Sequence, residues 1–252
     1  ILGVERGASD GNVAAGLARL GAQVSVVARL GDDEYGRRAV PFWQGEGIDC
    51  THAQVAPGEP NAVATILVAD DGENSIAVFR GAGFALGAAQ VRAARPAFER
   101  AALVTMPLEL QDKAIGAALA LARECGTRSV LNPAPARALP GGWLRAVDVL
   151  TPNALEARQL CDLPADAAIT PAQLGARLLE RGVGAVVMTC GAEGAWVFER
   201  GQVPLPVPPF AVHTVDTVGA GDAFNAGLAM ALAEGASLAQ AARFASATAA
   251  LA

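Results

Sequence analysis

The chain is 252 residues long, a length that suits one large α/β domain or two small ones. Hydrophobic residues make up 52% and charged residues 17%, a balance that supports a large buried core and excludes a disordered chain. A net charge of -6 and an aromatic content of 5% argue against a phosphate-backbone binder or a base-stacking platform, so no nucleic-acid partner is expected.

In chain order, residues 12–20 read as a helix ended by Gly21, 23–28 as a strand, and 34–44 as a helix that Pro41 should kink or break. Residues 61–69 and 74–79 read as two strands around the turn Asp70-Asp71-Gly72-Glu73, a hairpin signal. The second half is more regular. Strands are expected at 102–106, 128–131, 147–150 and 185–189, with a further pair at 195–198 and 202–207. Helices are expected at 111–125, 153–160, 171–181, 220–233 and 238–250. Strands separated by helices of this length indicate βαβ units, a mainly parallel sheet and ligands beyond the strands' carboxyl ends.

Cys50, Cys125, Cys161 and Cys190 are scattered, and His52 and His213 are the only histidines, which argues against a zinc site or a disulfide scaffold. No signal-peptide pattern is visible and no apolar run approaches the ~20 residues of a membrane span, so no membrane partner is expected and the cytoplasm is the expected compartment.

The segment with the clearest chemistry is Asp216-Thr217-Val218-Gly219-Ala220-Gly221-Asp222-Ala223-Phe224-Asn225-Ala226-Gly227. Gly219 and Gly221 allow tight backbone geometry, and amides at the start of the following helix can hold phosphate oxygens. Asp222 beside them could accept the proton of an attacking hydroxyl. The plain alternative is a Gly-rich turn capped by an Asp. No G-x-x-x-x-G-K-[ST] run exists, which excludes a P-loop enzyme. A dinucleotide-binding oxidoreductase needs G-x-G-x-x-G after the first strand, whereas Gly219 and Gly221 lie near the C-terminus and the third glycine position falls on Phe224.

The whole segment closely resembles the C-terminal signature of the ribokinase-like (PfkB) sugar kinases, and the resemblance extends over nearly all of the chain. Gly7-Ala8-Ser9-Asp10-Gly11-Asn12 is similar to the family's Gly-Gly-x-x-x-Asn segment, Gly31-Asp32-Asp33 with Gly36 to its Gly-Asp-Asp turn, and Asn132-Pro133-Ala134-Pro135-Ala136-Arg137 to a ribokinase stretch. Asn153-Ala154-Leu155-Glu156 is similar to the Asn-x-x-Glu motif, and Thr189-Cys190-Gly191-Ala192-Glu193-Gly194 to a strand-end turn near the nucleotide.

The resemblance implies a three-layer α/β/α fold with a mainly parallel sheet, one kinase domain over 1–252, and a small, incomplete β lid that includes 61–79. It implies transfer of phosphate from ATP to a primary hydroxyl of a small sugar, ribose first. Asp222 is then the base, in a nest with Gly219, Ala220 and Gly221. Asn12, Ala64, Ile66 and Glu109 contact the sugar. Asn153, Thr189, Gly191 and Gly194 face the nucleotide, while Asn153 and Glu156 hold Mg²⁺ through water. A monovalent cation such as K⁺ and a homodimer built from lid strands also belong to the family pattern.

Residue by residue, plainer readings stay open: a helix cap for Asn12, a capping box for Asn153 and Glu156, a β-turn around Gly191, a solvent-facing Glu109, and ordinary strand packing for Ala64 and Ile66. Fructose, 2-keto-3-deoxygluconate or a nucleoside are alternative acceptors, and a non-catalytic sugar- or nucleotide-binding module is the alternative of another class. Ala8 replaces the family's second glycine and Ser9 a lysine common in ribokinases. The family's first strand, most lid strands, and the C-terminal part that serves the adenine and cation sites are expected to be missing.

Overall fold

A computed structural model describes residues 9–68, 74–212 and 217–252. The expected turn at Asp70 to Glu73, the Gly7-Ala8 pair and Asp216 lie outside the described residues.

The centre of the molecule is a six-stranded sheet of β5 (Leu103–Pro107), β6 (Arg128–Asn132), β7 (Val149–Leu150), β8 (Ala185–Thr189), β9 (Ala195–Glu199) and β10 (Leu205–Val207), in that spatial order. β5 to β8 pair in parallel, and β9 and β10 continue the sheet antiparallel. The register explains the layering. Val130, Val149 and Ala185 stand in one row, Leu131, Leu150 and Val186 in the next. Because side chains alternate along a strand, the first row faces one side of the sheet and the second the other. The Leu131 row packs against α6 (Asp112–Cys125), α7 (Ala154–Leu160) and α8 (Pro171–Glu180). The Val130 row packs against α9 (Ala220–Ala233) and α10 (Leu238–Leu251). Burial on both faces is why these strands read as continuous apolar runs.

The N-terminal part adds α1, described as Ser9–Arg19, then β1 (Ser25–Gly31), α2 (Glu34–Gly45) and β2 (Asp49–Ala56). β1 and β2 form a separate parallel pair. A further antiparallel pair, β3 (Val63–Val68) and β4 (Asn74–Phe79), stands apart from both sheets. Short helices α3 (Gly81–Phe84), α4 (Ala88–Ala93) and α5 (Arg95–Arg100) lead into β5.

One expectation is corrected. Pro41 does not break α2, which runs through it to Gly45. Pro41 and Arg37 both lie on the exposed side, where water can satisfy the carbonyl that loses its amide partner. Sequence patterning also passed over β2. Its run Asp-Cys-Thr-His-Ala-Gln-Val-Ala is polar because most of it remains open or half-open to solvent.

The Gly-Asp-Asp turn is a clamp. Asp33 caps α2 by accepting from the Gly36 amide at 2.9 Å, and its other oxygen accepts from the Asn61 amide at 2.7 Å. Asn61 in turn accepts from the Gly31 amide at 3.0 Å. A Cβ on Gly31 would sit 2.1 Å from the Asn61 nitrogen, so the approach requires glycine. The clamp fixes the chain just before β3.

Candidate active site

α9 begins at the carboxyl-end side of the sheet. Gly219 caps it in the left-handed region at φ 84°, a conformation that favours glycine. The Ala220 amide already donates to the Thr217 carbonyl at 3.2 Å, and the Ala223 amide to Gly219 at 2.9 Å. Of the expected nest, the Ala220 amide is thus engaged within the turn, and Gly221 is exposed with open space where a side chain would stand. α9 has fourteen residues, so its dipole adds positive potential at this end.

Asp222 is half-buried in the first turn of α9. Asn12 Nδ2 donates to Asp222 Oδ2 at 2.7 Å, across 210 residues of sequence. Asn12 lies within α1 rather than capping it. Close helix packing makes the contact: a Cβ on Gly16 would lie 2.9 Å from the Ala226 Cβ. Gly16 and Asn12 are four apart and share one helix face, so the point where α1 meets α9 sits one turn from the Asn12–Asp222 bond.

Glu109 follows the end of β5 and joins the same site electrostatically. Its side chain is open to solvent on one side, yet enough protein surrounds the carboxyl for desolvation to raise its pKa above the ordinary value. The Asp222 carboxylate adds to the rise and the Arg80 guanidinium opposes it. Arg80, which the sequence reading missed, stacks over the Phe84 ring at 4.6 Å. Ala64 and Ile66 occupy alternate positions of β3, opposite Val78 and Ile76, so the backbone puts them on one face.

The second half of the site lies at the ends of β7 and β8. Asn153 caps α7, with its Oδ1 accepting from the Glu156 amide and Glu156 Oε2 accepting from the Asn153 amide, both at 2.8 Å. This is a complete capping box. Burial raises the Glu156 pKa, and the Asn153 amide partly counters that. Asn153, Thr189, Gly191 and Arg158 line a groove of about 480 Å³. The Thr189 amide is committed to the Pro152 carbonyl at 3.0 Å, which leaves its half-buried side chain for the groove. Gly191, at φ 58°, has open space around its α-carbon.

Gly194 does not line this groove. Its α-carbon abuts β10, where a Cβ would lie 2.3 Å from the Val207 carbonyl oxygen, so its glycine is explained by packing. A larger groove of about 560 Å³ lies between α6 and the 3₁₀ turn at Trp143–Ala146 and contains none of these residues.

The described residues contain no cluster of three or more His, Cys, Asp or Glu side chains suited to a metal. The single carboxylate of Glu156, with one oxygen used by the cap, fits a cation that keeps most of its own waters, which is the habit of Mg²⁺. Sequence reasoning also passed over Asn225 and Thr151, which are buried and hydrogen-bonded to each other at 2.7 Å behind the nest.

A layered α/β sheet with a helix start, a carboxylate beside it and a groove at the strand ends is an arrangement suited to holding a phosphorylated ligand. The family model described as pfkB family carbohydrate kinase matches residues 7–252. A ribokinase of Haemophilus influenzae is 34% identical over 97% of this chain and 80% of its own length. A deoxyribokinase of Salmonella typhi is 30% identical over 86% of this chain and 71% of its own. The solved structure of Arabidopsis thaliana ribokinase complexed with ribose and ATP superposes with a TM-score of 0.89 at 28% identity, covering 97% of this chain and 80% of that one. The chain belongs to the pfkB family of carbohydrate kinases and has the ribokinase-like α/β fold. It is accordingly a sugar kinase, a phosphotransferase with an alcohol acceptor.

Proposed function

We propose that this chain transfers the γ-phosphoryl group of ATP to a primary hydroxyl of ribose or a closely related pentose, with Asp222 as general base. The observation that carries the proposal is the 2.7 Å bond that holds Asp222 against Asn12 at the start of α9. Asn12 fixes one carboxylate oxygen and so orients the base. The sugar hydroxyl gives its proton to Asp222, its oxygen attacks the γ-phosphorus, and the bond from that phosphorus to the β-phosphate oxygen breaks to release ADP. Backbone amides at the start of α9 face the charge that spreads over the moving phosphoryl group.

Asn12 and Glu109 orient sugar hydroxyls, and Ala64 and Ile66 supply an apolar floor. Thr189 and Gly191 flank the nucleotide beside Asn153. Asn153 and Glu156 would hold Mg²⁺ through water, and the ion, when bound, offsets phosphate charge. β3 and β4, standing apart from both sheets, support the reading of 61–79 as part of a lid and as the surface of a homodimer.

The test is release of ADP with a panel of ribose, deoxyribose, fructose, 2-keto-3-deoxygluconate and nucleosides. The same assay is repeated with EDTA and with Na⁺ in place of K⁺. Ribose or deoxyribose is expected to give the highest kcat/KM, in line with the two relatives. Asp222→Asn should lower kcat by about 10²–10⁴. A folded Asp222→Asn protein with near-normal turnover removes the base from Asp222. A wild-type protein that binds sugar without turnover favours the binding-module alternative.

A further inference from the structure

We infer that Asn225 and Thr151 form a buried latch that sets the geometry of the first turn of α9, making Asn225 a positioning residue for phosphoryl transfer. The catalytic part of this inference rests on the function proposed above.

Asn225 is 5% exposed and Thr151 4%, and both are polar residues in an apolar layer. Asn is a poor helix former, and a buried amide is costly unless both its donor and its acceptor are used. Here both are used. Asn225 Nδ2 donates to the Gly221 carbonyl at 2.9 Å, and Asn225 Oδ1 accepts from the Thr151 hydroxyl at 2.7 Å. The orientation is forced, because a carbonyl oxygen can only accept, so the amide nitrogen must face Gly221.

The Gly221 carbonyl and the Asp222 amide are two ends of one rigid peptide plane. Gly221 lies in the first turn of α9, where its carbonyl points along the helix toward residue 225, and the added bond from Asn225 Nδ2 steadies that carbonyl, the Asp222 amide beyond it and the root of the Asp222 side chain. Thr151 sits at the end of β7, two residues before Asn153. The latch thus ties the nest on α9 to the strand end that carries the nucleotide side of the site. Neither side chain is needed to build α9, which already has an apolar face against the sheet.

The discriminating variants are Thr151→Val, which keeps the shape and removes the donor, and Thr151→Ser, which keeps the donor. Two measurements are made on the full chain. By hydrogen exchange, Thr151→Val should accelerate exchange in peptides covering 219–226 by about tenfold, leave 228–240 unchanged, and be reversed in Thr151→Ser, as expected for losing one buried hydrogen bond. In the kinase assay, Thr151→Val should lower kcat about tenfold or more with the sugar KM nearly unchanged, and Thr151→Ser should recover it.

Exchange that stays at wild-type rates, or rises uniformly along α9, overturns the latch. A localised rise with unchanged kcat overturns the positioning role. A wild-type chain with no kinase activity refutes the proposed function instead, and the exchange result still decides the latch.

Discussion

Gly16→Ala is expected to damage catalysis far more than stability. The new Cβ would stand 2.9 Å from the Ala226 Cβ, whereas carbon pairs rest at about 3.5–4.0 Å. α1 must retreat from α9 by roughly 0.6–1.1 Å to relieve the contact. Carried one helical turn to Asn12, that displacement would lengthen the 2.7 Å bond to Asp222 to about 3.3–3.8 Å, beyond the useful hydrogen-bond range. Overpacking costs about 1–3 kcal/mol, and replacing a helical Gly by Ala returns about 0.8–1.0 kcal/mol. Net destabilisation should therefore be about 0–2 kcal/mol, a few degrees in Tm. The sugar kcat/KM should fall about tenfold or more, because Asp222, the proposed base, loses its orienting partner. The assay is sugar kinetics alongside a thermal melt, and Ala226→Gly supplies the control by removing the opposing methyl. Gly16→Ala with Ala226→Gly should recover most of the lost activity. Wild-type kinetics in the single variant, or no recovery in the double, refutes the argument that helix spacing sets the Asn12–Asp222 contact.

Burial first, and Asp222 second, raise the Glu109 pKa above 4.5, so ionising Glu109 costs stability at neutral pH. Glu109→Gln should melt at or above the wild-type temperature at pH 7 while its sugar KM rises. Across a titration, the wild-type sugar KM should climb as pH falls through a value above 4.5, and a flat profile would remove Glu109 from the sugar site. Glu156→Gln preserves the capping box, since Gln can still accept from the Asn153 amide. Its Tm should hold while the Mg²⁺ needed for half-maximal rate rises about tenfold if the carboxylate organises the ion's waters. An unchanged Mg²⁺ requirement would leave Glu156 as a cap alone. Asp33 has a pKa below the ordinary 3.8, held there chiefly by the Gly36 amide and also by the Asn61 amide. The stability it contributes is full above 3.8 and is lost as pH falls through its lower folded value. Asp33→Asn keeps the cap but cannot accept both amides, so its Tm should lie below wild type at pH 7 and converge with it under acid conditions. A constant gap across that range would show that the Asp33 charge plays no part.

The amino-acid sequence by itself determined what depends on neighbours in the chain. Alternating β-branched runs and Ala/Leu stretches placed the helices and all but one strand of the central sheet within a residue or two, because fully buried elements must be apolar along their whole contact surface; the exception is β10, which is largely exposed and begins three residues after its expected start. Gly219, Gly221 and Asp222 were legible because a tight turn, an amide-lined helix start and an acid must be adjacent to act together. Asn153 and Glu156 were legible as a pair because a helix turn joins i and i+3, although the cap and the metal reading share that spacing. β2 was not legible, since a half-exposed strand carries no apolar run, and Pro41 misled because only the folded chain shows which side of α2 faces water.

Tertiary structure alone decided the contacts between remote residues. It set Asn12 against Asp222 through the absence of a side chain at Gly16, placed Arg80 beside Glu109, and paired Thr151 with Asn225 behind the nest. It set the α-carbon of Gly194 against β10. The physical reason is common to all four. Local pattern reports what a segment must bury, whereas a site depends on which buried surfaces meet, and that is fixed only when helices and strands far apart in sequence close on one another.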